Sequence, residues 1–187
     1  GYQTGTQLRT IHSLNTSPPS HLWGDKYTKK IHSRIKNYQT CGIKNKYVDK
    51  MIEFVLENLD LIRVRPMSQN HGDFHSGNII ITPELEAVLI DFNRIKIADP
   101  LYEFNRIYFS HRISPAFAKG QIDSYFQNNI PEGFFKLLKF YIFSVNIANI
   151  PWAQQFSQTD IDFAINGNKE TYAQDENQES DIPKWYN

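Results

Sequence analysis

The segment from His71 to Asn78, with the sequence HGDFHSGN, contains residues whose side chains can accept a proton or hold a metal ion. Asp73 and Asn78 are five positions apart, and Asp91 follows Asp73 by eighteen positions. Phosphoryl transfer needs a carboxylate that orients and deprotonates the attacking hydroxyl group. It also needs hard oxygen ligands for a magnesium ion that bridges the phosphates. Two carboxylates and an amide oxygen in this spacing therefore indicate a site for phosphoryl transfer.

Each of these three residues also has a simpler explanation when it is taken alone. Aspartate and asparagine favour turns and helix caps, so local structure accounts for any single one of them. A hydrolase with two metal ions is a further alternative, because Asp73 and His75 form an Asp-x-His pair. Such a site needs several more histidines, and only His111 follows His75. The ligand count therefore argues against a two-metal hydrolase.

A predicted β-hairpin positions these side chains. Residues 78–82 and 87–91 are short runs of β-branched and aliphatic residues, separated by four residues that begin with a proline. Asn78 then begins the first strand and Asp91 ends the second. The loop that carries Asp73 leads into this hairpin, so all three side chains can meet at one point.

Helices are predicted for most of the remaining chain. Apolar residues recur at helical spacing within 3–15 and 46–62, and a polar, basic helix is predicted over 23–39. Asp99 followed by Pro100 is typical of a helix N-cap with proline at the first helical position. Further helices are predicted to begin at the Ser-Pro pair 114–115 and near residue 131, and the segment 182–186 offers aromatic side chains for docking. We therefore expect a single domain over 1–187, mainly α with one small β-hairpin.

Composition and charge exclude several classes of protein. The chain has 187 residues, 40% of them hydrophobic, and a formal net charge of zero, which argues against nucleic acid as a partner. Cys41 is the only cysteine, so an internal disulfide is excluded and a reduced, cytoplasmic setting is favoured. The first ten residues lack the apolar core of a signal peptide. Charged and amide side chains interrupt the apolar stretch 134–150, so we expect no membrane span.

The pattern HGDxxxxN, followed by a hairpin and an aspartate before a turn, resembles the aminoglycoside phosphotransferase family. The matching residues are the stretch 71–78, the Ile90-Asp91 pair and the ADP triplet 98–100, and the resemblance runs from residue 3 to roughly residue 110. Gly72 and His75 favour this family over protein kinases. Asn93 and Glu103 depart from the family's usual residues, and neither belongs to the central triad.

This resemblance implies the C-terminal lobe of a protein-kinase-like fold and ATP-dependent transfer of phosphate to a hydroxyl group of a small molecule. The family includes kinases of antibiotics, sugars, choline and amino alcohols. It implies that Asp73 is the catalytic base and that Asn78 and Asp91 bind Mg²⁺. Ile80 and Ile90 would form the floor of the adenine pocket.

Supporting roles are expected for residues around the triad. His71 is expected to hold the loop by hydrogen bonding, and Asp99 to cap a helix and steady the same loop. Arg94, three residues after Asp91, is expected to pair with an acid near the site. His75 is either an exposed loop residue or a contact to the substrate, and the sequence leaves both open.

The family's N-terminal lobe, which covers the phosphates and supplies an ATP-binding lysine, has no counterpart in this sequence. No glycine-rich loop occurs, and the 70 residues before His71 predict helix. We therefore expect residues 1–187 to be inactive alone and to expose an apolar strip that favours self-association. The alternative function is a non-catalytic, kinase-like binding scaffold, although the intact triad argues against it. The sequence does not name the phosphate acceptor, because substrate pockets in such folds follow no readable code.

Overall fold

The computed structural model describes residues 1–14, 22–175 and 180–187. The α-helices in this part of the chain are α1 (Tyr2–His12), α2 (Trp23–Thr40), α3 (Lys46–Glu57), α4 (Ile107–Ile113), α5 (Pro115–Tyr125), α6 (Phe134–Asn146), α7 (Asn149–Ala153) and α8 (Gln158–Asp175). The strands are β1 (Ser68–Asn70), β2 (Ile79–Ile81), β3 (Ala87–Leu89) and β4 (Lys96–Ala98). Short 3₁₀ helices cover Leu59–Ile62, Ser76–Asn78, Phe92–Arg94, Pro100–Arg106 and Lys184–Tyr186. The fold is therefore mainly helical, as predicted.

The chain forms two compact units. The first contains Gly1–Ser20, Pro66–Phe135 and Trp185–Asn187, and the second contains His21–Arg65 and Lys136–Lys184. The predicted catalytic residues all lie in the first unit. The grouping of residues 1–187 into one domain stays a prediction.

The predicted hairpin is confirmed as the antiparallel pair β2–β3. Ile79 pairs with Leu89, Ile80 with Val88, and Ile81 with Ala87. Ala87 and Leu89 are buried, whereas Ile80 and Val88 are exposed. Because side chains alternate along a strand, the exposed Ile80 and Val88 share one face, opposite the buried Ala87 and Leu89.

Helix α1 holds the buried side of this hairpin through two glutamine side chains. The Ala87 N–H donates to Gln3 Oε1 at 2.5 Å, and Gln7 Nε2 donates to the Ala87 carbonyl at 2.6 Å. On its other side α1 packs closely against α5. A Cβ atom at Gly5 would lie 2.1 Å from the Gln121 carbonyl oxygen, so the helices approach at a distance that only glycine allows. Helix α1 thus links the hairpin to the helical part of the unit.

A second small sheet, β1–β4, was not predicted. Its register pairs Ser68 with Ala98 and Asn70 with Lys96. Each strand has only three residues and neither has the alternating apolar pattern that marks a half-buried strand, so sequence periodicity could not reveal it. The chain segment between β1 and β4 contains the predicted triad of Asp73, Asn78 and Asp91.

The C-terminal residues dock on the first unit, as predicted. Trp185 and Tyr186 are buried. The Tyr186 ring lies 4.6 Å from the Phe135 ring, and its hydroxyl donates to the Asp123 carboxylate. Burial and this hydrogen bond raise the pKa of Tyr186. The phenol therefore stays protonated and keeps donating at physiological pH.

The second unit has an aromatic core between α2 and the residues of α6 from Lys136 onward. The rings of Trp23 and Tyr27 stack at 4.9 Å. Trp23 Nε1 donates to the Tyr141 hydroxyl at 2.9 Å, and the Tyr27 hydroxyl lies 2.7 Å from Ser144 Oγ. These bonds satisfy the polar ends of the buried rings, which makes their burial favourable.

Some predicted helix boundaries differ from the structure. The first helix ends at His12 rather than residue 15, and the predicted helix 46–62 is divided into α3 and the 3₁₀ helix Leu59–Ile62. The helix that follows Asp99 starts as the 3₁₀ helix Pro100–Arg106 before α4. The turn predicted over 15–20 lies outside the described residues. No helix in the described ranges is both long and apolar enough to cross a membrane.

Candidate active site

Asp73 lies in the loop between β1 and the hairpin, and only 6% of its surface is exposed. His71, which is fully buried, holds this loop as predicted. Its Nε2 lies 2.9 Å from the Ile90 carbonyl oxygen, and its Nδ1 accepts the Asp73 backbone N–H at 3.3 Å. These bonds require a neutral ring with its proton on Nε2. His71 therefore ties the loop to the end of β3.

Gly72 fixes the other side of the loop. Its φ is +89°, and a Cβ atom there would lie 1.8 Å from the Arg94 carbonyl oxygen, so no other residue fits without displacement. The Gly72 N–H donates to both carboxylate oxygens of Glu103, at 3.0 and 3.1 Å. Glu103 is 2% exposed. Sequence reasoning noted Glu103 only as a departure from the family pattern and missed this contact.

Asn78 is buried at the start of the hairpin. Its Nδ2 donates to the Asp73 carbonyl oxygen at 2.9 Å, which joins the two residues directly. Its own carbonyl accepts the Ile90 N–H at 3.0 Å, which extends the hairpin by one residue pair beyond β2 and β3. The amide nitrogen is thus used to fix the loop.

Asp91 directly follows the residue that pairs with Asn78, so both lie at the same end of the hairpin. Asp91 is exposed and has the left-handed conformation, with φ 63° and ψ 60°. Its Oδ1 accepts a hydrogen bond from Asn93 Nδ2 at 2.5 Å. A left-handed residue other than glycine costs on the order of 1 kcal/mol, and such residues cluster at functional sites.

Two arginines and a histidine surround the Asp73 carboxylate. Arg106 Nη1 lies 2.5 Å from Oδ1, Arg94 Nη1 lies 3.5 Å from Oδ2, and His75 Nε2 lies 3.7 Å from Oδ1. Oδ1 is buried and has no partner in hydrogen-bond geometry, so the Arg106 contact is a close ion pair without a hydrogen bond. Arg94 pairs with an acid as predicted, whereas Arg106 was missed because it belongs to no motif.

His75 lies beside the carboxylate and is partly buried. Its Nδ1 accepts the Gly77 N–H at 3.0 Å. Burial lowers the pKa of His75, the Asp73 charge raises it, and the Arg106 charge lowers it again, with a net decrease. The ring is therefore neutral at pH 7 and presents Nε2 to Asp73.

Ile80 and Ile90, the predicted floor of the adenine pocket, are both exposed. Ile90 pairs with Asn78 and Val88 pairs with Ile80, so these four side chains share the outer face of the hairpin. The structure thus places an apolar surface next to the Asn78 amide. Self-association through this surface stays a prediction.

Asp99 caps the helical segment that follows, as predicted. It is fully buried, its Oδ1 accepts the Leu101 N–H at 2.9 Å, and its carbonyl accepts a hydrogen bond from Asn70 Nδ2 at 3.0 Å. Asn70 immediately precedes His71. The cap is therefore connected to the loop that carries Asp73.

The oxygen donors at the end of the hairpin suit a hard cation. The described residues contain no group of three or more His, Cys, Asp or Glu side chains that could hold a metal ion. Asn78 and Asp91 instead offer one amide oxygen and one carboxylate. Mg²⁺ is commonly held by one or two protein oxygens while it keeps waters or binds substrate phosphates. The donor set therefore fits Mg²⁺ and does not fit a thiolate or imidazole zinc site.

Comparison with known families identifies the chain. Residues 1–134 match the family described as the phosphotransferase enzyme family, APH. The chain belongs to this family. Asp73, Asn78 and Asp91 all lie within the matched residues. A search of curated proteins found no match.

Solved structures show the same fold. A choline/ethanolamine kinase family protein from Mesorhizobium loti has a TM-score of 0.70 and 13% identity over 95% of this chain and 62% of its own. A thermostable mutant of aminoglycoside phosphotransferase APH(4)-Ia has a TM-score of 0.66 and 17% identity, over 92% of this chain and 64% of its own. Choline kinase LicA from Streptococcus pneumoniae has a TM-score of 0.63 and 14% identity, over 92% of this chain and 63% of its own. The chain thus spans slightly less than two thirds of each relative, and its fold is the C-terminal lobe of a protein-kinase-like phosphotransferase.

Proposed function

We propose that this chain carries the catalytic base and the magnesium ligands of a kinase that transfers the γ-phosphate of ATP to a hydroxyl group of a small molecule. The observation that carries the proposal is the buried Asp73 Oδ1, which has no hydrogen bond. Arg106 Nη1 lies 2.5 Å from this oxygen but not in hydrogen-bond geometry, so Oδ1 can still accept a hydrogen bond. An acceptor hydroxyl that donates to Oδ1 provides one.

Asp73 would then orient the acceptor hydroxyl and take its proton. The geometry favours this role because the loop is held at three points: by His71, by Glu103 through Gly72, and by Asn78. A general base works only when its oxygen stays within hydrogen-bond distance of the proton that it accepts. A rigid loop therefore contributes to catalysis by limiting the motion of the carboxylate.

Asn78 and Asp91 would hold the magnesium ion. When bound, Mg²⁺ would neutralise the negative charge of the nucleotide phosphates. The hydrogen bond from Asn78 Nδ2 to the Asp73 carbonyl supports this assignment, because it orients the amide and leaves its oxygen for the ion. The Asp91 carboxylate is exposed, so a hydrated cation can reach it from the solvent.

The exposed apolar face of the hairpin supports a nucleotide as the phosphate donor. Ile80 and Ile90 lie on the same face as Asn78, where an adenine ring could cover them while its phosphates reach the metal. Among the similar structures, LicA was solved in complex with AMP and aminoglycoside phosphotransferase APH(2'')-Ib with ADP bound. The names of the relatives include kinases of choline and ethanolamine and phosphotransferases of aminoglycosides, which supports a small hydroxylated acceptor.

The test is a phosphorylation screen with Mg²⁺ and ATP over amino sugars, amino alcohols, sugars and hydroxy acids. It uses the protein with its ATP-binding lobe, since we propose that residues 1–187 alone lack that lobe. Asp73→Asn should lower turnover by about 10²–10⁴-fold, the usual contribution of a general base. Asp60→Asn is the matched control, because Asp60 is an acid paired with an arginine in the second unit. Equal turnover by Asp73→Asn and the parent protein would refute the assigned base. No turnover of any acceptor by the parent protein would favour the binding scaffold.

A further inference from the structure

Two arginine side chains converge on Asp73, and the proposed proton transfer requires neither. Arg94 comes from the turn after the hairpin, and Arg106 from the end of the 3₁₀ helix Pro100–Arg106. Their Nη1 atoms lie 3.5 and 2.5 Å from the two oxygens of the Asp73 carboxylate. Two cations around a single anion are more than is needed to orient a base.

Two arginines share one carboxylate as their ion-pair partner. Asp73 is the only acid within ion-pair distance of either arginine in the described part of the chain. Each guanidinium has five N–H donors, whereas one carboxylate offers two oxygens. The Arg94 side chain is 62% exposed and that of Arg106 is 34% exposed, so donors of both can reach a ligand.

Two further carboxylates lie near this point, and neither is within ion-pair distance of the two arginines in the described part of the chain. The Glu103 carboxylate accepts from the Gly72 N–H, and the Asp91 carboxylate accepts from Asn93 and is proposed to hold the metal. His75 is held neutral, because burial lowers its pKa, and it therefore adds an imidazole without adding charge. Arg94 and Arg106 therefore supply the positive charge directly beside the base, next to a neutral ring.

Both arginines are positioned by the backbone of the site itself. The carbonyl of Arg94 lies against Gly72 at a distance that excludes any Cβ atom. Arg106 precedes α4, whose residue Phe109 lies 5.6 Å from the His75 ring. The backbone segments that carry the two arginines are therefore held next to the loop of Asp73, and placement on a rigid backbone favours selective binding over general attraction of anions.

We propose that Arg94 and Arg106 bind an oxyanion of the acceptor, so that the substrate class is a hydroxyl compound with a carboxylate or phosphate group close to the hydroxyl that is phosphorylated. The planar guanidinium matches both groups through paired N–H···O bonds. A cationic acceptor would instead meet like charge, which is a strong source of discrimination. The inference rests on the proposed function, because it assumes that the acceptor hydroxyl binds at Asp73.

The experiment measures binding, so that it does not depend on turnover. Residues 1–187 are titrated calorimetrically with glycerate, glycerol 3-phosphate, glycerol and ethanolamine, which represent a carboxylate, a phosphate, a neutral and a cationic hydroxyl compound. At least one anion should bind about tenfold or more tightly than glycerol, as expected for hydrogen bonds to charged groups. The anion that binds more tightly shows whether the site prefers a carboxylate or a phosphate group. Added salt should weaken the binding of that anion.

Matched variants locate the binding site. Arg94→Gln should lower the affinity for the preferred anion about tenfold, and Arg94→Lys should restore part of it. Arg63→Gln is the control, since Arg63 is an exposed arginine whose Nη1 lies 3.5 Å from Asp60, the distance at which Arg94 meets Asp73. Its affinity for the anion should not change. Thermal melts of each variant establish that it is folded.

Three results would overturn the inference: glycerol or ethanolamine binding as tightly as the anions, no binding of either anion, or unchanged affinity in Arg94→Gln. Failure of the proposed function has a different signature. Asp73→Asn in the protein with its ATP-binding lobe would then retain turnover, whatever the titrations give. An arginine that serves only the transferred phosphoryl group is also distinguishable, because Arg94→Gln would then weaken binding of Mg²⁺–ATP and not of glycerate or glycerol 3-phosphate.

Discussion

Substitution of Gly72 by alanine should destabilise the protein through the loop that carries Asp73. The structure supplies two separate contributions. The backbone at φ +89° is strained for any residue with a Cβ atom, whatever surrounds it, and this strain costs about 1–2 kcal/mol. At Gly72 the Cβ would also lie 1.8 Å from the Arg94 carbonyl oxygen, so the backbone must move. That movement breaks the bonds from Gly72 N–H to Glu103, and a hydrogen bond to a charged group contributes about 1.5–3 kcal/mol.

Gly133→Ala separates these contributions. Gly133 lies in the same unit with φ +77°, and nothing lies within 4 Å of the Cβ that alanine would add there. Gly133→Ala should therefore show only the conformational cost of about 1–2 kcal/mol, and Gly72→Ala a total of about 3–5 kcal/mol. Urea denaturation followed by circular dichroism measures both free energies of unfolding. Equal losses in the two variants would show that the contact with Arg94 and the bonds to Glu103 contribute nothing.

Three further predictions concern the cap, a histidine and the nucleotide. Asp99→Ala should lower the free energy of unfolding by about 1 kcal/mol, because the Leu101 N–H loses its acceptor; an unaltered melting temperature would contradict the cap. Burial lowers the pKa of His75 from 6.5, so the unfolded chain gains its proton at a higher pH than the folded chain, and stability should fall as the pH drops below about 6.5. His75→Gln should reduce this acid sensitivity in thermal melts between about pH 5 and 7. His32→Gln removes an exposed histidine and serves as the control. Identical pH profiles for the parent protein and His75→Gln would refute the reasoning. Residues 1–187 should bind Mg²⁺–ATP only at about millimolar concentration, because two protein oxygens hold Mg²⁺ weakly; micromolar binding by calorimetry would show a complete nucleotide site.

The parts of the site that sequence could predict are those determined locally. Asp73 and Asn78 lie within one loop, and the Asp99 cap depends on the residues directly after it, so their types and spacing were sufficient. The hairpin was predictable because its two β-branched strands are separated by a short turn. Local patterns of this kind survive in the structure because each is stabilised mainly by neighbouring residues.

Long-range contacts could not be predicted from the sequence. Glu103 reaches Gly72 across 31 positions, and Arg106 reaches Asp73 across a similar separation. Which side chain makes such a contact depends on how the helices pack, and the periodicity of apolar residues does not predict it. The 3₁₀ form of Pro100–Arg106 was missed for a related reason, because helical propensity alone does not distinguish a 3₁₀ segment from an α-helix when packing decides between them.

The two ends of the hairpin differ in a way that is useful for labelling the protein. Asn78 and Ile90 meet at one end, beside the loop of Asp73, while the turn at Leu85 closes the other end. Leu85 is exposed, with φ 63°, and the Gln3 side chain donates to its carbonyl at 3.3 Å. Exposed turns of this kind tolerate inserted residues. A peptide epitope or a fluorophore-bearing residue placed there would report on the hairpin without entering the end beside Asp73.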